Sequence, residues 1–138
     1  MTETVTMRRD YPAPPERVFR AWTEVDLLRK WFGCGPGMLW TVHAWDATPG
    51  GAIHVSLTFD TGPFEVKGEF LEVEPPHHLR YRWGDDQLVD VRISAQSNGS
   101  AVEITHSGIP AEHRGFVDAG WSTAVEQLAE LWPAPTSA

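Results

Sequence analysis

From Ile53 to His106 the chain repeats one pattern: apolar and polar residues alternate, and a turn signal interrupts them. Ile53, Val55, Leu57 and Phe59 alternate with His54, Ser56, Thr58 and Asp60. The same spacing holds in Phe64-Val66-Gly68-Phe70, Leu79-Tyr81-Trp83, Val89-Val91-Ile93 and Val102-Ile104-His106. A period of two gives each strand one buried and one wet face, which is the habit of an antiparallel sheet. The interruptions TGP at 61–63, PPHH at 75–78, GDD at 84–86 and SNGS at 97–100, with PGG at 49–51 ahead of them, are hairpin connections. Asn98-Gly99-Ser100 therefore reads as a turn and not as a glycosylation acceptor.

Outside this region the period changes. Residues 3–10 are weakly extended and closed by Pro12, Pro14 and Pro15. Pro14 or Pro15 suits the first turn of a helix, whose apolar stripe is Val18, Phe19 and Trp22. Thr23 and Asp26 have the spacing of a capping box for a second helix, and Trp22 and Leu27 that of a hydrophobic staple. Leu27, Leu28 and Trp31 line that helix, and GCGPG at 33–37 ends it. After Pro110, Val117, Trp121, Ala124, Leu128 and Leu131 recur at helical steps up to Pro133. This predicts one amphipathic helix of roughly 20 residues, about 30 Å long. The expected architecture is α+β: a curved antiparallel sheet of about seven strands, two short helices after the first strand, and a long final helix packed over the sheet. Helices of two turns are unstable alone, and a single helix about 10 Å wide cannot cover such a sheet. The short pair would close the open end of this grip above a cavity.

A chain of 138 residues has room for one core, so residues 1–138 are read as one domain with a flexible tail at 133–138. No apolar run reaches the roughly 20 residues of a membrane span. MTETVTMRRD lacks the apolar segment of a secretory signal, and a cytoplasmic location is expected. A net charge of −8 with scattered basic residues opposes nucleic acid as a partner. The lone Cys34 forms no internal disulfide and no zinc cluster, and it is read as an incidental thiol. His43, His54, His77, His78 and His113 show no metal-ligand spacing, so neither a metal nor a cofactor is expected. GCGPG follows a helix and contains Pro36, which excludes a dinucleotide loop. No G-x-S-x-G elbow is present, and catalysis gains no positive support.

Four segments carry a family resemblance: APPERVFRAWTEVDLLRKWFG at 13–33, DATPGG at 46–51, GEFLEVEPPHHLRYRW at 68–83, and THSGIP with GWSTAVEQLAEL at 105–131. In order and spacing they resemble START-like (SRPBCC) helix-grip domains. Within these, the chain is similar to bacterial relatives of the C-terminal domain of the activator of the ninety-kilodalton heat-shock protein ATPase. The resemblance implies an apolar or amphipathic ligand held between the long helix and the sheet, with chaperone stimulation and cyclase or hydrolase chemistry as alternatives. The eukaryotic co-chaperones carry a further N-terminal domain that 138 residues do not accommodate, so at most weak stimulation is expected. A homodimer is left open.

The candidate ligand-binding residues are Trp31, Trp40, Phe59, Tyr81, Trp83, His106, Gly120 and Trp121. Indoles offer broad apolar walls with an N–H handle, and Gly120 allows close approach of a backbone. His106 is the one strongly polar residue on an apolar alternation. It is read either as a core histidine bonded to a backbone carbonyl or to Tyr81, or as a group that orients a ligand or moves a proton. Tyr81 would donate its hydroxyl to a ligand or bond to water at the rim.

Overall fold

A computed structural model describes residues 2–32, 39–59 and 62–132, without the side chains of 39, 40, 59 and 62–64. The elements are β1 (Thr2–Tyr11), α1 (Pro15–Thr23), α2 (Val25–Trp31), β2 (Leu39–Trp45), β3 (Ala52–Phe59), β4 (Gly62–Glu74), β5 (His78–Trp83), β6 (Gln87–Gln96), β7 (Gly99–Pro110) and α3 (Arg114–Ala129). Pro15 opens α1, as a residue without an N–H should.

The strands form a single antiparallel, curved sheet in the order β1-β7-β6-β5-β4-β3-β2. The chain begins at one edge and must start its run of hairpins at the other, and α1 with α2 makes that passage. α3 then packs on β1, β7 and α2. The α+β helix-grip architecture expected from the sequence is the one observed.

The alternating residues do face the core: Ile53, Val55, Leu57, Val66, Phe70, Leu79, Tyr81, Val89, Val91, Ile93, Val102, Ile104 and His106 are all buried. Register sets Phe70, Tyr81, Val89, His106 and Val5 side by side in one row across five strands. A bulge between Phe70 and Glu72 shifts the phase of β4, so Glu72 and Glu74 face outward instead of following Phe70 inward. The hairpin between β6 and β7 is present, but its turn falls on Ser97-Asn98, one residue earlier than the expected Asn98-Gly99, and Gly99 opens β7 opposite Gln96, where glycine is required. Gly99 has φ +148°, and a Cβ there would lie 2.0 Å from the Tyr11 carbonyl oxygen.

Three local expectations are corrected. Glu24, not Thr23, is the N-cap of α2, and no side chain caps it. Thr23 Oγ1 instead donates to the Phe19 carbonyl at 3.2 Å, so the capping box does not form. With the N-cap moved by one residue, the staple pair Trp22 and Leu27 is out of step, and Leu28 is the fully buried leucine of α2. The last helix spans 16 residues, roughly 24 Å, because Ala111–His113 form a 3-10 turn before it and it ends at Ala129. The GCGPG terminator, Cys34 and the 133–138 tail lie outside the described residues.

Tertiary bonds do the capping. A helix end leaves its last carbonyls without partners, and those of α1 are taken by indoles from elsewhere: Trp31 Nε1 donates to Ala21 at 2.9 Å, and Trp45 Nε1 to Trp22 at 2.7 Å. The Trp31 carbonyl that ends α2 accepts from Gln127 Nε2 of α3 at 2.9 Å. Short helices persist here because other elements complete them. Among the described residues, no helix is long and apolar enough to cross a membrane.

Candidate functional site

Where α3 leaves the sheet, a partly open cleft of about 100 Å³ remains. Its floor is the row Tyr81, Val89 and His106, with Leu57 and Trp83 beside it. Its roof is Phe116, Val117, Gly120, Trp121 and Ala124 of α3, and Phe32 lies at the join. Phe32 follows α2 directly, with ring centroids 5.5 Å from Trp31, 5.8 Å from Trp45, 5.6 Å from Trp83 and 6.2 Å from Trp121. Phe116 is 58% exposed. None of these lining residues is Lys, Arg, Asp or Glu.

His106 ties roof to floor. Trp121 Nε1 donates to His106 Nδ1 at 2.9 Å, and His106 Nε2 lies 2.7 Å from Gln87 Oε1. An indole N–H can only donate, so Nδ1 accepts and the single ring proton sits on Nε2, which donates to Gln87. Burial pushes the pKa of His106 down to about 4. The imidazole is therefore neutral near pH 7, with both nitrogens engaged. Its partners are Gln87 and Trp121, not the backbone carbonyl or Tyr81 expected from the sequence.

Tyr81 is 0% exposed, and its hydroxyl has no hydrogen-bond partner; nor has Trp22 Nε1. It is not at a wet rim. Burial raises the phenol pKa well above its usual value, and the nearby Trp22 N–H opposes that shift without the geometry of a hydrogen bond. Tyr81 and His106 flank Val89 in the row and share no hydrogen bond.

The structure thus brings Tyr81, Trp83, His106, Gly120 and Trp121 to one cleft. Trp31 stands apart from it: fully buried, its N–H is spent on Ala21 and its ring packs 4.6 Å from Trp22. Trp40 and Phe59 lie on β2 and β3, but their side chains are outside the described residues. Phe32 and Phe116 are lining residues that the sequence reading did not select. Phe116 and Gly120, four apart, mark a helix row beside the Val117-Trp121-Ala124 stripe, and that spacing was the available signal. For Phe32 the signal was only its place after Trp31.

On the opposite face of the sheet, His78 is 8% exposed with carboxylates around it. Nδ1 lies 3.0 Å from Glu74 and 3.3 Å from Glu72, and Nε2 lies 3.0 Å from Asp90. Burial alone would lower its pKa, but the bonds to Asp90 and Glu74 outweigh it and the net shift is upward. Among the described residues, Glu72, Glu74 and His78 are the group whose donor atoms, within 4.8 Å of one another, could hold a metal ion. The sequence did not join them, because they meet through the bulge of β4.

Residues 12–132 match the family model described as Activator of Hsp90 ATPase homolog 1-like protein. A crystal structure of a Chromobacterium violaceum protein is similar over 96% of this chain and 99% of that one, at 30% identity and a TM-score of 0.87. An AHSA1-like protein from Aeromonas hydrophila shares the fold at 21% identity, with coverages of 93% and 90% and a TM-score of 0.77. So does a protein of unknown function from Staphylococcus aureus, at 16% identity, coverages of 95% and 93%, and a TM-score of 0.81. Among curated proteins, none matches the sequence.

Proposed function

Because the chain belongs to the family of activator of Hsp90 ATPase homolog 1-like proteins, a helix-grip family, we propose that it binds a small apolar or amphipathic molecule between α3 and the sheet. One observation carries this reading: the cleft is walled by apolar and aromatic side chains from α3, β3, β5 and β6, with no charged side chain among the described lining residues. Its roughly 100 Å³ is of the order of an apolar cavity that admits benzene. A ring or chain end would fit within, and the rest of a longer ligand would emerge past Phe116. His106 holds the roof at a set height and serves the site by position.

The test is a fluorescence titration with an uncharged naphthalene probe. Wild-type protein should bind it, and Val117→Phe, which fills the cleft from α3, should weaken binding about tenfold or more while leaving the fold intact. Equal binding by both proteins would move the site elsewhere. The family description favours a second reading, contact with an Hsp90-type chaperone. Leu71 and Phe116 are the exposed large hydrophobic residues among those described, too few for a broad docking patch. Strong stimulation of such an ATPase by this chain would put that reading first.

A further inference from the structure

A second concavity, of about 240 Å³, lies where α1 and α2 meet the end of α3. Its described lining is Arg17, Arg20, Leu27, Lys30, Leu131 and Trp132, none of which lines the cleft. Half of these residues are cations and none is an anion, in a chain with 11 basic against 19 acidic residues. Helix geometry gathers the charges. Arg17 and Arg20, three positions apart, share one face of α1, and by the same spacing Leu27 and Lys30 share one face of α2. Like charges gathered in this way repel unless something negative sits among them. Arg20 is partly answered by its Nε bond to Glu24. Among the described residues, Arg17 and Lys30 enter no ion pair. What the groove lacks is counter-charge.

The rest of the lining is apolar. Trp132 is 8% exposed and packs edge-on against Tyr11, with ring centroids 5.7 Å apart, and Leu27 and Leu131 are half-buried. The groove therefore sets a cationic rim beside an indole wall, which suits a molecule with an anionic head and an apolar body. Two guanidinium forks and one ammonium are the donor set that phosphate oxygens take, and a phosphate dianion answers more of three positive charges than a carboxylate does. A membrane surface fits less well. Glu16, Glu24 and Asp26 are exposed on the same two helices, so a flat anionic surface would meet them along with the cations, whereas a small molecule in the groove meets the lining alone.

We propose that this groove binds a phosphate monoester with a short apolar or aromatic body, its phosphate held by Arg17, Arg20 and Lys30 and its body by Leu27, Leu131 and Trp132. The site is separate from the cleft and takes the opposite class of ligand, so either stands without the other.

The experiment titrates naphthyl phosphate at pH 8, where the phosphate is dianionic, and follows the Trp132 and Trp121 indole N–H resonances. Trp132 should move saturably while Trp121 stays fixed. Arg17→Gln combined with Lys30→Gln removes two exposed charges, and should leave the melting temperature unchanged and weaken binding about tenfold or more. Raising the salt from 50 mM to 500 mM should weaken wild-type binding about fivefold or more. Inorganic phosphate, which lacks the apolar body, should bind at least about tenfold more weakly than the ester. Equal binding by wild type and the double variant, or movement of Trp121 in place of Trp132, would overturn the proposal. So would attachment to phosphatidylglycerol vesicles without binding of naphthyl phosphate, which would make the basic patch a membrane contact. Equal affinity for inorganic phosphate would refute the role given to Trp132 and the two leucines.

Discussion

Tryptophans build both ends of the space under the helices, and the two ends turn out differently. At the closed end, Trp31 and Trp45 are buried and donate their N–H groups to the last carbonyls of α1. At the open end, Trp121 donates to a side chain, His106, across the gap between two layers, and Trp83 keeps some exposure. An indole bonded to backbone is drawn into the helix it caps and fills the space beside it. An indole bonded to a side chain of the facing layer ties the two layers at a fixed spacing and leaves the space beside it unfilled. Aromatic content alone therefore does not forecast a pocket; the partner of each N–H decides.

The largest effect should come from breaking the closed end. Trp31→Ala removes a fully buried ring and uncaps Ala21, and should cost about 3–5 kcal/mol in urea unfolding. A loss under about 1 kcal/mol would mean that this end is not the anchor described.

Next comes the tie at the open end. Burial lowers the His106 pKa from its ordinary 6.5 to about 4, so below pH 6.5 the unfolded chain takes up a proton that the native chain refuses. The stability from this group is complete above pH 6.5 and is lost as pH falls toward 4, about 2 kcal/mol of it by pH 5. His106→Gln should remove this part of the acid dependence, as compared by unfolding at pH 7 and pH 5. An identical slope in the variant would place the titrating group elsewhere.

The smallest effect belongs to His78, the counterpart of His106 on the outer face. Its raised pKa works with the opposite sign: the contribution is present below the unfolded value and disappears as pH rises through the folded one. Partners as exposed as Glu72 and Glu74 limit it to under about 1 kcal/mol. His78→Asn should abolish a slight loss of stability between pH 6 and pH 8. A gain in that window would reverse the sign assigned here.

The inward strand residues were legible because alternation is local, and so were the stripes of α1 and α3. Five cleft residues, Tyr81, Trp83, His106, Gly120 and Trp121, follow from that same patterning. What sequence concealed is long-range. Thr23 and Asp26 have the right spacing for a cap, yet the α1 end is capped by indoles 10 and 23 residues away from their acceptors. Gln87 and Trp121 reach His106 from 19 and 15 positions away, and no window of local sequence pairs them. Trp31 sits on an apolar helix face like any pocket aromatic; only its bond to Ala21 assigns it to the closed end.

The indole N–H resonances discriminate the two ends of the molecule best, since each tryptophan reports its own place. On titration with the uncharged naphthalene probe, the Trp83 and Trp121 signals should move together and saturably, while those of Trp31 and Trp45 stay fixed. Movement of Trp31 and Trp45 with Trp83 and Trp121 still, or no saturable movement of any indole, would contradict a cleft between α3 and the sheet.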